Sequence, residues 1–112
     1  MKLTHEDTGQ LSVITLKGDF TSDHVGVFQR TVEERMNHQI RDFIINLTEL
    51  EFVDSKGLEA LLQLQETCAD LLGQIRLAGA SGAVEQILRI TRLAPHFEKF
   101  ATVEEAVNSL RV

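Results

Sequence analysis

Hydrophobic positions along the chain change period several times, and each change marks an element. Leu11-Ser12-Val13-Ile14-Thr15-Leu16 alternates and is rich in β-branched residues, which predicts a strand. A weaker strand pattern covers residues 2–6, and Asp7-Thr8-Gly9 between the two signals a turn, so they are expected to pair as a hairpin. Gly18 and Asp19 break the alternation. Thr21, Ser22 and Asp23 then offer N-caps, and Val25, Phe28, Val32 and Met36 recur at three- and four-residue spacing, predicting an amphipathic helix to about Asn37. Phe43-Ile44-Ile45-Asn46-Leu47 is a short apolar run, read as a buried strand. A connector follows, with Phe52 and Val53 expected to anchor it in the core. A long helix is predicted over residues 56–72, ended by Gly73. Residues 75–78 form the next strand, and Gly79-Ala80-Ser81-Gly82 a loop with Ser81 as cap. Val84, Ile87 and Leu88 mark a helix that must stop before Pro95. Residues 97–100 suggest a brief strand. Thr102-Val103-Glu104-Glu105 is a capping box that opens a last helix through Ala106, Val107 and Leu110.

Helices that alternate with strands in this way give parallel strands joined by right-handed crossovers, and the opening hairpin makes the sheet mixed. The expected fold is α/β, a mixed four- to five-stranded sheet with about four helices. With 112 residues, the chain is expected to be a single domain over 1–112. In such sheets function tends to sit at the carboxyl ends of the strands, in the loops that enter helices.

Composition narrows the function classes. The formal net charge is −6 and the basic residues are scattered. A nucleic-acid surface needs a concentrated basic stripe, so nucleic acid is not an expected partner. Anionic lipid is disfavoured for the same reason, and no apolar run is long enough for membrane insertion. The first residues hold no apolar stretch of the signal-peptide kind, which leads us to expect a cytoplasmic protein. Cys68 is alone, so no internal disulfide is expected, and its place on an apolar helix face reads as a core thiol.

Signatures of catalysis are missing from the sequence. There is no phosphate-binding loop ending in Lys-Ser/Thr, and no dinucleotide GxGxxG. His5, His24, His38 and His96 are far apart, with no metal-ligand spacing, so no metal and no cofactor is expected. Val53-Asp54-Ser55-Lys56-Gly57 lacks the first glycine of a nucleophile elbow. No catalytic residues are assigned, and an enzyme is not expected.

One stretch is informative: Phe52-Val53-Asp54-Ser55-Lys56-Gly57-Leu58-Glu59 at the mouth of the long helix. Ser55 reads as a simple N-cap. Gly57 in the first helical turn costs about 1 kcal/mol relative to alanine and is not explained by capping. A bare backbone there would allow another protein to come close. The positive end of the helix could also accept a phosphoryl group on Ser55, with Lys56 assisting.

This stretch resembles the signature of the STAS family, the anti-sigma-factor antagonist domains. In that family a strand of the type IINL leads to an aromatic-hydrophobic pair and then Asp-Ser-x-Gly-Leu at a helix start. Here Ile44-Ile45-Asn46-Leu47 leads to Phe52-Val53-Asp54-Ser55-Lys56-Gly57-Leu58. Leu16-Lys17-Gly18-Asp19-Phe20 is similar to the family's L-x-G-E-L/I loop, and the resemblance extends over almost the whole chain. It implies a partner-switching regulator in which Ser55 is the phosphorylated residue. The implied partners are an anti-sigma factor that is also a histidine-kinase-like Ser/Thr kinase, and a phosphatase that resets the switch. The implied contact surface comprises Gly18, Asp19 and Thr21 before the first helix, and Asp54, Ser55, Lys56, Gly57 and Glu59 at the second. Three residues depart from the family pattern: Lys56 replaces a small hydroxyl residue, Glu59 a small residue and Thr21 an aspartate. An alternative within the same resemblance is a non-phosphorylated binding subunit of a transporter or sensory complex.

Overall fold

A computed structural model describes residues 1–110. Its elements run β1 (Lys2–Thr8), β2 (Leu11–Phe20), α1 (Ser22–Asn37), β3 (Asp42–Val53), α2 (Ser55–Asp70), β4 (Gln74–Ala78), α3 (Gly82–Ile90), β5 (Lys99–Phe100) and α4 (Val103–Ser109), with a 3-10 turn at Ala94–His96. The strands form one mixed five-stranded sheet in the order β1-β2-β3-β4-β5. β1 and β2 are antiparallel, paired from Lys2 opposite Lys17 to Thr8 opposite Leu11, and the other pairs are parallel. The expected α/β architecture, with its opening hairpin and four helices, is the observed one.

Burial explains which face each element turns inward. In β2, Ser12, Ile14 and Leu16 are buried while Val13, Thr15 and Lys17 are half-buried, the period of two of a pleated strand. Phe43, Ile44 and Ile45 of β3 are all fully buried, as befits a central strand covered on both sides. Phe43 and Ile45 join the main core with Phe28 and Val32 of α1 and Leu61 and Leu64 of α2. Ile44 faces the other way and packs with Ala78 and Ala106 beneath α4. Phe20 and Phe28 meet with ring centroids 5.0 Å apart and fasten the start of α1 to the end of β2.

Several boundaries differ from the sequence reading: β1 stays paired through Asp7 and Thr8, which the sequence assigns to the turn, β5 covers only Lys99–Phe100, and three others bear on the site. β2 and β3 both run further than expected. β2 continues through Gly18, and β3 replaces the predicted connector, because the two strands stay paired to Phe20 opposite Val53 across two register irregularities. Gly18, with φ +87, sits at one of these irregularities, where its left-handed backbone is tolerated. The third boundary is the end of α2. The helix stops at Asp70, and the left-handed residue is Leu72 (φ +60) rather than Gly73. Leu72 N donates to Ala69 O and Gly73 N to Cys68 O, the paired bonds of a Schellman ending. Gly73 is required for another reason: a Cβ there would lie 1.8 Å from the Arg41 carbonyl oxygen.

Candidate functional site

β2 and β3 end side by side, and each leads directly into a helix. Phe20 lies opposite Val53 at the last pair, so the segment before α1 and the first turn of α2 are neighbours in space. The fold therefore brings the Phe20–Ser22 turn, which holds Thr21, against Asp54 at the head of the turn of Ser55 and Lys56, with Gly18 and Asp19 paired one step back to Leu50 and Phe52 and Glu59 one helical turn on.

Ser55 is the first residue of α2 and is exposed. It is not the cap. Asp54 occupies the N-cap position with extended backbone, and its Oδ1 accepts from Gly57 N at 2.8 Å. Ser55 makes no capping bond and is exposed at the positive end of a 16-residue helix. The second carboxylate oxygen, Asp54 Oδ2, accepts from Ser22 N of α1 at 3.0 Å. The hydrogen bond from the Gly57 amide is the main reason that the Asp54 carboxyl is held below the usual range. Burial opposes it, and the Ser22 and Lys56 amides and the Lys56 ammonium add to it. The Thr21 hydroxyl lies 3.3 Å from His24 Nδ1 instead of capping α1.

Gly57 corrects one expectation. It is buried, and a Cβ on it would stand 2.5 Å from Phe20 O and 2.7 Å from Val53 Cγ2. The missing side chain lets β2 pass close beneath α2; it does not open the outer surface to a partner. Lys56 and Glu59, by contrast, are well exposed and lie 3.5 Å apart across one helical turn. Lys17 and Glu49 pair at 3.1 Å nearby.

A groove beside Ser55 was not expected. Phe52, Val53, Leu58, Ile87, Ile90 and Thr91 line it together with Asp54 and Ser55, enclosing about 390 Å³ between the start of α2 and the end of α3. Phe52 is 45% exposed and Ile90 70%, so Phe52 does not anchor the core as the sequence suggested. Leu50 and Val53 are the buried residues of that stretch, an inward spacing of three that the irregular pairing of β2 and β3 imposes. A sequence signal existed on α3: Ile90 falls three residues after Ile87 but outside the stripe of Val84, Ile87 and Leu88.

The remaining candidates hold structural places. Ser81 caps α3 by accepting from Val84 N at 3.3 Å. Burial, with a smaller contribution from Asp42, pushes the Cys68 thiol up to about 12. Among the described residues no three His, Cys, Asp or Glu side chains gather into a metal-binding group, and no helix is long and apolar enough to cross a membrane.

The fold is thus a mixed α/β sheet whose second helix opens on half-buried Asp54 and exposed Ser55. The family model of the STAS domain matches residues 2–106, and the chain belongs to that family. No curated protein matches it at a significant level. Among solved structures, a putative anti-sigma factor antagonist from Thermotoga maritima superimposes with a TM-score of 0.90 at 17% identity, covering 98% of this chain and 95% of that one. The unphosphorylated anti-sigma factor antagonist SpoIIAA gives 0.85 at 23% identity over 98% and 96%, and the phosphorylated form from Bacillus gives 0.77 at 23% identity over 98% and 100%. A sulfate transporter family protein from Wolinella succinogenes gives 0.76 at 17% identity over 89% and 84%.

Proposed function

We propose that this STAS domain is a cytoplasmic anti-sigma-factor antagonist that binds an anti-sigma factor with histidine-kinase-like Ser/Thr kinase activity, and that phosphorylation of Ser55 releases it. The observation that carries the reading is the division of labour at the start of α2. Asp54 caps the helix, which leaves Ser55 exposed and available at its positive end. Phosphorylation there would add roughly −1.5 to −2 charge and three acceptor oxygens. The groove of Phe52, Leu58, Ile87 and Ile90 gives the partner an apolar seat next to that charge, the arrangement in which an unpaired charge weakens docking most. The domain acts as substrate and ligand rather than catalyst, and a phosphatase resets it. The phosphorylated and unphosphorylated forms of SpoIIAA have the same fold as this chain, which supports a switch by charge on a fixed scaffold.

The test is phosphotransfer. A cognate histidine-kinase-like ATPase with ATP should add one phosphate to the wild-type domain, seen by intact mass, and none to Ser55→Ala. Equal labelling of Ser55→Ala would move the switch elsewhere. A second reading, a non-phosphorylated binding subunit of a transporter or sensory complex, draws on the Lys56–Glu59 pair, which places bulk and both charges beside Ser55. Wild-type domain that captures transporter subunits and is never labelled by the kinase would favour it.

A further inference from the structure

We propose that Asp54 is a positioning residue that ties the start of α1 to the start of α2, so that residues 18–22 and the turn carrying Ser55 meet a partner as one rigid surface. The functional meaning rests on the docking reading above, whereas the structural content stands on its own geometry. Two loops that leave neighbouring strands can ordinarily move apart, because nothing in strand pairing extends beyond the last ladder bond. Here two bonds close that gap and a third fixes the Asp54 carboxylate to its own helix. Asp54 N donates to Phe20 O at 3.1 Å, Asp54 Oδ2 accepts from Ser22 N at 3.0 Å, and Asp54 Oδ1 accepts from Gly57 N at 2.8 Å. The first two form a reciprocal pair between Asp54 and the strand-to-helix turn of β2 and α1.

A side chain at an N-cap normally serves the helix that it begins. This one serves two helices that follow different strands. Ser22 N is the first amide of α1, which an N-cap side chain at Thr21 does not reach, and Asp54 supplies its acceptor from the neighbouring helix. Gly57 makes the arrangement feasible. Its amide is held by Asp54 while its bare Cα rests against the Phe20 carbonyl, where a Cβ would come within 2.5 Å. The three-residue spacing of Asp54 and Gly57 thus has one geometric cause.

Because the Gly57 amide is already committed to Asp54, a phosphate on Ser55 does not inherit it. The other titratable groups around this junction are Asp19 on β2, Asp23 and His24 on α1, Glu51 on β3, Lys56 and Glu59 on α2, and the Met1 amine, 3.2 Å from His24 Nε2.

Amide NMR on the 15N-labelled domain tests the link without any partner, so its failure and that of the docking reading are separable. Asp54→Asn retains one carbonyl oxygen, enough for the local cap, and turns an NH2 group toward the second amide. The expected result is a Gly57 amide that stays protected and a Ser22 amide that exchanges about tenfold faster, with shifts spread over residues 18–22. In the wild type, the Ser22 and Gly57 amide shifts should follow pH with one common midpoint below the ordinary aspartate value of 3.8. Asp54→Ala should release both amides, and if it fails to fold, the Asn variant and the wild-type titration still decide. A Ser22 amide indifferent to Asp54→Asn, or separate midpoints for the two amides, would overturn the proposal.

Discussion

Replacing Gly57 with alanine separates two physical expectations that have opposite signs. Gly57 lies in the first turn of α2, where helix propensity alone favours alanine by about 1 kcal/mol. The packing opposes it. The new Cβ would stand 2.5 Å from Phe20 O, 2.7 Å from Val53 Cγ2 and 3.2 Å from Phe20 Cγ, whereas an ordinary C···O contact is roughly 3.3 Å or more. The nearest atom is backbone, so relief needs a shift of α2 against β2 of most of an ångström. Overpacking of this kind costs about 1–3 kcal/mol. The shift also strains the Asp54 N to Phe20 O bond, worth about 1 kcal/mol. After the propensity gain, the net loss is about 2 kcal/mol, or roughly 8 °C in Tm for a domain of this size. Urea denaturation followed by far-UV circular dichroism is the assay, since the chain has no Trp or Tyr to report by fluorescence. Gly26→Ala is the control: a methyl added to Gly26 in α1 would meet no atom within 4 Å, and alanine there should stabilise by about 0.5–1 kcal/mol. If Gly57→Ala proves as stable as the wild type, or gains as Gly26→Ala does, the close crossing of β2 beneath α2 is refuted.

Leu72 is 94% exposed and holds a left-handed backbone, so Leu72→Gly should raise stability by about 0.5–1 kcal/mol in the same urea titration, with relieved strain outweighing the added chain entropy. Burial works against the charged form of Asp7, but the Ser12 hydroxyl and the Arg35 guanidinium, 2.6 Å away, outweigh it and hold its carboxyl below 3.8. A depressed folded-state value means that this stabilisation is present above 3.8 and is lost as pH falls through the lower, folded-state value. Asp7→Asn should therefore destabilise at pH 7 and show less further loss on acidification than the wild type, measured by thermal melts at pH 7 and below pH 3.8. Cys68, buried and pushed up to about 12, should resist iodoacetamide in the native protein and react at the ordinary rate once the chain is unfolded in concentrated urea, followed by intact mass.

Much of the architecture was legible because burial here follows simple periods. The two-residue alternation in β2, the triply apolar Phe43-Ile44-Ile45 and the i, i+4 pair Phe28 and Val32 each announce the surface that their element buries. What was not legible depends on contacts between distant segments. The extension of β3 through Phe52 was hidden because the irregular pairing with β2 puts Glu51 and Phe52 outward in succession. Gly57 drew attention for the right spacing and the wrong reason: only the path of β2 shows that its neighbour is the Phe20 carbonyl. The role of Asp54 as cap was likewise obscured by Ser55, an equally good capping residue one place along. The groove beside Ser55 unites residues of β3, α2 and α3 and has no contiguous signature.

The most direct measurement is the affinity of the domain for its kinase-type partner, before and after phosphorylation at Ser55, by isothermal titration calorimetry. The account predicts at least about a hundredfold weaker binding for the phosphorylated form, equivalent to about 2.7 kcal/mol, with Ser55→Ala retaining wild-type affinity. Equal affinities for the two forms would contradict it, because a charge that leaves docking unchanged is not a switch.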